Sequence, residues 1–169
     1  MRDPYGACFE GVSSKETSGR DVPTPARCPD VHPAYFETRF RMPAPGHHEW
    51  PAEFVILSAH ATTGESWPAD VSERADRRLE NELRVRMGEE GLWRVTGYSP
   101  TTGHAEPSWA AQLPFDEACD LGLRFRQDAL YLVRGDTLYV SHCDERRAPV
   151  RVGSFRARLD AAAADGSGP

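Results

Sequence analysis

Two kinds of hydrophobic spacing divide the chain between residues 34 and 156. Residues 53–60 (EFVILSAH) carry the unbroken apolar run Phe54-Val55-Ile56-Leu57, which predicts a strand covered on both faces and therefore central in a sheet. Residues 34–42 (AYFETRFRM) alternate large and polar side chains around Tyr35, Phe36, Phe40 and Met42, the pattern of a half-buried strand. From residue 71 to about 88 the period changes. Ala75, Leu79, Leu83 and Met87 recur every four residues and mark the buried stripe of a helix, with Arg74, Arg77, Arg78, Glu80, Arg84 and Arg86 solvating the opposite side. Asp70 followed by Glu73 reads as a capping-box start, and Gly88 and Gly91 as the stop.

Beyond this helix, residues 92–98 (LWRVTGY) and 106–113 (EPSWAAQL) flank a turn at Pro100 to Gly103 and predict a hairpin. Pro114 opens a second helix running to about Arg126, with Phe115, Ala118, Cys119, Gly122 and Phe125 on one face. ALYLVR and TLYVSH, joined by Gly135-Asp136, predict a second hairpin, and residues 150–155 a last edge strand. The order β-β-α-β-β-α-β-β pairs strands locally, which predicts a single α+β domain: a mixed or antiparallel sheet with two helices packed on one face. Its limits fall at residues 34–156. The first 33 residues carry five prolines among Ser, Gly and charged residues and are expected to be an extended or disordered arm. Residues 157–169 are expected to be a flexible tail.

Composition narrows the function classes. With 169 residues, 39% hydrophobic and 27% charged, the chain has the makeup of a soluble domain with one core, and no apolar run is long enough for a membrane span. The first residues lack the apolar centre of a secretory signal, so a cytoplasmic location is expected. A net charge of −6 argues against broad phosphate neutralisation, and hence against nucleic-acid binding as a role. Lys15 is the single lysine among 20 basic residues, a bias read as genome composition. Cys8, Cys28, Cys119 and Cys143 have no CxxC spacing and read as reduced thiols, with a Cys8–Cys28 bridge as the alternative. His47-His48-Glu49 lacks a second ligand cluster at defined spacing; no metal and no cofactor is expected.

The polar residues of 106–133 stand out in a segment that otherwise packs. Gln127 and Asp128 lie between an apolar helix face and an apolar strand, where buried polar groups need partners. Either they satisfy loop backbone groups, or they converge with Glu106, Ser108 and the loop after His60, including Trp67, on a pocket. Such a pocket would suit hydrogen bonding of a small polar ligand such as a nucleobase or amino-acid derivative.

The elements VILSAHATTG, LENEL, EPSW and LGLRFRQDALYLV occur in an order that resembles the bacterial family known as domain of unknown function 3293 (DUF3293). The similarity spans roughly residues 34–140. The family pattern has an Asn-Pro-like turn after the first central strand, an Asn early in the next helix, a Glu-x-Ser element and a Phe-Gly-Gln-Asn-Ala junction. Glu106 and Ser108 match the third element; Phe125, Gln127 and Ala129 match the fourth. Ala61-Thr62 stands for the Asn-Pro, Arg126 for the Gly and Asp128 for the Asn, while Asp76 or Asn81 takes the helix position. The resemblance implies no reaction.

Two functions follow as expectations. One is a cytoplasmic binding domain acting through a protein partner or a small polar ligand, held by His60, Trp67, Glu106, Ser108, Gln127 and Asp128, without chemistry of its own. The other is a hydrolase or transferase on a nucleotide-like small molecule, with Glu106 or Asp128 as general base.

Overall fold

Side chains of a strand point alternately to opposite faces, and in the central strand this alternation separates two cores. Phe54 and Ile56 belong to one cluster, Val55 and Leu57 to the other, and all four are at most 2% exposed. The computed structural model describes residues 31–43, 49–61 and 65–160. Within them lie β1 (Arg39–Arg41), β2 (Glu53–Ser58), α1 (Ala69–Met87), β3 (Leu92–Tyr98), β4 (Ala105–Ala111), α2 (Phe115–Arg124), β5 (Ala129–Arg134), β6 (Thr137–His142), β7 (Val150–Ser154) and β8 (Leu159–Asp160). The strands form one sheet in the order β7-β6-β5-β2-β4-β3-β1-β8. All neighbours are antiparallel except β1 and β8, so the sheet is mixed and the domain is α+β.

The sheet is curled, and chain length requires it. β7 and β8 occupy opposite edges, seven strand spacings apart, or about 34 Å if the sheet were flat at about 4.8 Å per strand. Yet the step from Ser154 to Leu159 reaches about 17 Å at full extension, and part of it is a 3-10 turn at Arg156–Arg158. The edges must therefore approach each other. The inner face is filled by Phe40, Phe54, Ile56, Val95, Ala110, Val133, Leu138, Val140, Val152 and Phe155, with Trp50, Trp93 and Leu159 packed against them. Phe155, in the connection between the two edges, meets Phe40, Trp50 and Phe54 at ring-centroid distances of 5.8, 5.1 and 5.2 Å.

Both helices lie on the outer face. Leu79 and Leu83 of α1 and Phe115, Ala118, Cys119 and Leu121 of α2 pack on Val55, Leu57, Trp109, Ala111, Leu130 and Leu132. Gly122 lets α2 come close: a Cβ there would stand 2.6 Å from Cys143 Sγ. The charged side of α1 is laced by i,i+4 pairs, Arg74–Asp70, Arg77–Glu73, Arg84–Glu80 and Arg86–Glu82, a solvated face of the ordinary kind.

Four boundaries differ from expectation. Residues Pro33–Phe36 form a 3-10 turn rather than a strand, because Pro33 sits at its start and His32 accepts a hydrogen bond from the Ala34 amide; the strand shrinks to Arg39–Arg41. The expected capping box at Asp70 is not formed: α1 begins earlier, after Pro68, and Asp70 lies inside the first turn, paired with Arg74. Pro114 caps α2 from outside rather than opening it. Leu159 and Asp160, expected in the tail, form β8. Arg39 donates to Asp160 from β1 through Nε at 3.1 Å, and Tyr98 of β3 hydrogen-bonds the same carboxylate. The rest of the arm and the tail, with Cys8, Cys28, His47 and His48, lie outside the described residues.

Candidate functional site

Following inward positions along three neighbouring strands leads from apolar to polar. On β2 and its continuation they read Phe54, Ile56, Ser58, His60; on β4, Ala110, Ser108, Glu106; on β5 and the residue before it, Val133, Tyr131, Ala129, Gln127. Register aligns these gradients, since Ile56 pairs with Ala110 and Tyr131, and Ser58 with Ser108. One end of the curled sheet is thus plugged by aromatic rings, and the other is a polar mouth.

A cavity of about 710 Å³ occupies the mouth, within the size range of small-molecule sites. His60, Trp67, Glu106, Ser108 and Gln127 line it together with Ser58, and Phe40 and Tyr131 form apolar wall. Asp128, expected beside them, is exposed and is not part of the lining. Its neighbours 127 and 129 take the inward positions, so its side chain turns outward, and its carbonyl accepts from the Cys143 amide at 3.0 Å.

Gln127 is a brace. Its Nε2 donates to the carbonyls of His60 (2.7 Å) and Phe125 (3.3 Å), and its Oε1 accepts from Ser58 Oγ at 2.9 Å. These bonds tie the end of β2 to the α2–β5 junction, so the amide satisfies loop backbone groups while lining the cavity. The junction turns at Arg126, which takes a left-handed φ of 59°. A glycine would adopt that conformation without a Cβ penalty, which accounts for the Gly of the resembled pattern; the arginine keeps the turn at a cost.

Glu106 is held from two sides. One carboxylate oxygen, Oε1, is 2.7 Å from His104 Nε2, and the other, Oε2, is 3.4 Å from Ser58 Oγ. A hydroxyl has a single proton, and the shorter bond to Gln127 takes it. Oε2 is therefore left with acceptor capacity at the cavity wall. Ser108 Oγ donates to the Glu106 carbonyl at 3.2 Å, and Trp67 Nε1 to Glu65 at 3.3 Å.

His60 is the unsettled group. Its Nε2 is buried without a protein partner. Burial pushes the imidazole below its usual value, while the charges of Glu106 and Asp76 pull it partly back. A histidine with a depressed folded value protonates first in the unfolded chain, so stability is fully present above the unfolded value near pH 6.5 and falls as pH drops below it. Urea unfolding between about pH 7.5 and 5.5 should show that decline, and His60→Gln should flatten it. An unchanged decline in the variant would remove His60 as its cause.

Other candidates separate in space. His104 joins Glu106 at the cavity, whereas His142 is buried elsewhere on the inner face opposite Ala129, with neither ring nitrogen partnered. Cys143 packs with Cys119 in the outer core, so no Cys–His pair forms at the cavity. Of the two residues considered for the helix amide position, Asn81 is exposed; Asp76 instead receives both Arg94 nitrogens at 2.7 and 2.8 Å and Trp109 Nε1 at 3.2 Å. Ser58 went unnoticed in the sequence, although its polar side chain two positions beyond Ile56 on the same face was the available signal.

No described helix is long and apolar enough to cross a membrane. No curated protein and no solved structure matches the chain. The family described as "Protein of unknown function (DUF3293)" matches residues 57–130, a stretch that begins at the end of β2, closes at the start of β5 and contains Ser58, His60, Trp67, Glu106, Ser108 and Gln127. Over the segment that builds the polar mouth, the chain is similar to the DUF3293 family.

Proposed function

We propose that this is a small-molecule-binding protein of the cytoplasm, whose ligand sits in the mouth of the curled sheet. The observation that carries the reading is the convergence of Glu106, Ser58, Ser108 and His60 on one cavity of about 710 Å³, with Oε2 of Glu106 left with unused hydrogen-bonding capacity. The ligand is favoured over a protein partner because these groups point into a concavity instead of spreading across an exposed surface. The packing of Cys119 and Cys143 as free thiols suits a reducing compartment.

An enzymatic reading rests on Glu106 alone as general base, since Asp128 is not part of the cavity lining. The His104–Glu106 contact at 2.7 Å supplies a proton relay to solvent for such a base.

Thermal unfolding of the full chain in the presence of amines, amino acids, nucleobases and sugars tests the binding reading. A ligand at about 100 times its Kd adds about 2.7 kcal/mol, which should raise Tm by about 5–10 °C for a domain of this size. Ser108→Leu should abolish the rise without unfolding the protein. A rise that persists in Ser108→Leu, or no rise with any class, contradicts the cavity as the ligand site.

A further inference from the structure

The cavity wall has a charge sign. Three carboxylates line it, from Glu37, Glu65 and Glu106, and no arginine or lysine does among the described lining residues. Sixteen arginines lie among the described residues, and none of them lines the cavity. The arginines nearest the wall are engaged with other groups. Arg39 pairs with Asp160, Arg94 with Asp76, and Arg158 donates to the Thr38 carbonyl at 3.0 Å while lining a separate surface groove.

Phosphate and carboxylate groups are recognised by guanidinium, ammonium or clustered backbone amides. Entering this cavity, an anion would meet three like charges with no arginine or lysine among the described lining residues to offset them. A cation meets the opposite field. The wall also holds the aromatic residues Phe40, Trp67 and Tyr131, and aromatic rings attract ammonium and guanidinium groups. Glu106 is the carboxylate placed to act as counter-charge. It lies on the sheet, 31% exposed, positioned by His104, whereas Glu37 and Glu65 lie at exposed rim positions.

We infer that the cavity takes a small organic cation, an amine or guanidinium compound, with Oε2 of Glu106 as its counter-charge and the aromatic wall against its apolar part. This rests on the cavity being the ligand site. It replaces the nucleotide-like substrate expected from sequence with a class of opposite charge.

Titration calorimetry with benzamidine, benzamide and benzoate tests the inference, because the three share a ring and nearly a shape while their charges are positive, zero and negative. Benzamidine should bind at least about tenfold more tightly than benzamide, and benzoate should not bind at millimolar concentration. E106Q should weaken benzamidine by about tenfold and leave benzamide within about twofold. Raising salt should weaken benzamidine and not benzamide in the unaltered protein, a readout that stands if E106Q fails to fold. Equal affinity for benzamide, tighter binding of benzoate, or benzamidine binding insensitive to both E106Q and salt overturns the cation inference. In each of those cases a probe still binds, and its loss in Ser108→Leu would show that the cavity reading survives. Failure of all three probes to bind overturns both.

Discussion

Phe54→Ala should cost about 4 kcal/mol of unfolding free energy, the middle of the range for removing a buried aromatic ring. Phe54 is 0% exposed on the central strand. Its ring stacks on Trp50 at 4.9 Å with an interplanar angle of 18° and meets Phe155 edge-on at 5.2 Å. The cost is expected to be high for a topological reason. Phe155 lies in the short connection that brings β7 and β8 together, and its contacts with Phe40, Trp50 and Phe54 hold the curl on the inside. Removing Phe54 leaves a void on a surface that has to bend, where neighbours cannot collapse without opening the sheet. Because many domains of this kind have only about 5–15 kcal/mol in total, Phe54→Ala should sit near the limit of folding at 37 °C. A double-mutant cycle with Phe155→Leu should give a coupling above about 0.5 kcal/mol. Urea denaturation is the measurement; a loss below about 2 kcal/mol would mean that the plug does not hold the curl.

Asp76→Ala should cost about 2–3 kcal/mol. Breaking a buried ion pair from one side costs about 3–5 kcal/mol, and the value is reduced here because the side chains of Asp76 and Arg94 are 14% and 29% exposed. Asp76 accepts two bonds from Arg94 and one from the Trp109 indole, and the Arg94 guanidinium lies 4.5 Å from the Trp109 ring centroid. This arrangement fastens α1 to the β3–β4 hairpin. The apolar contacts of α1 are few, since Leu79 and Leu83 are its fully buried residues, with Ala75 and Met87 partly buried beside them. Asp76→Asn keeps an acceptor for the indole and should cost about half as much. Asp76→Leu combined with Arg94→Met should recover most of the loss, because no uncompensated charge remains. If Asp76→Ala costs less than about 1 kcal/mol, α1 is held by its apolar stripe alone.

The parts of the fold that local spacing controls were legible in the sequence. The Phe54-Val55-Ile56-Leu57 run, the four-residue spacing of Ala75 to Met87 and the two hairpins depend on neighbours a few positions apart, so periodicity finds them. β8 was not legible. It has two residues, and its partners Arg39, Phe40 and Tyr98 come from far earlier in the chain, so nothing near Leu159 announces it. Nor was the curl, which follows from β7 and β8 being adjacent in sequence and opposite in the sheet. Residues 34–36 misled for a different reason: Tyr35 and Phe36 do pack against the inner core, but from a 3-10 turn, which also fits alternating large and polar side chains over so short a stretch.

The site shows the same division. Glu106, Ser108 and Gln127 could be singled out because polar residues in a packing segment need a reason, and His60 because it follows a buried strand. Their meeting depends on the pairing of β2 with β4 and β5, which no local pattern encodes. Parity explains both the miss and the excess. Ser58 shares the inward face of Phe54 and Ile56 and was overlooked, whereas Asp128, one step from Gln127, faces the other way. The charge of the cavity was hidden as well, since Glu37, Glu65 and Glu106 are far apart in sequence and arginines are interspersed among them.

The central claim is that the polar mouth of the sheet is where a ligand binds. The chain carries Trp50, Trp67, Trp93 and Trp109, and each indole N–H gives its own signal in a nitrogen–proton correlation spectrum. Trp67 lines the mouth, Trp50 and Trp93 pack at the plugged end, and Trp109 lies in the outer core beside Asp76. Benzamidine titration followed in that spectrum should move the Trp67 signal progressively to saturation and leave those of Trp50 and Trp93 in place. Movement of the Trp50 or Trp93 signals with Trp67 unmoved would place the ligand away from the mouth and contradict the account.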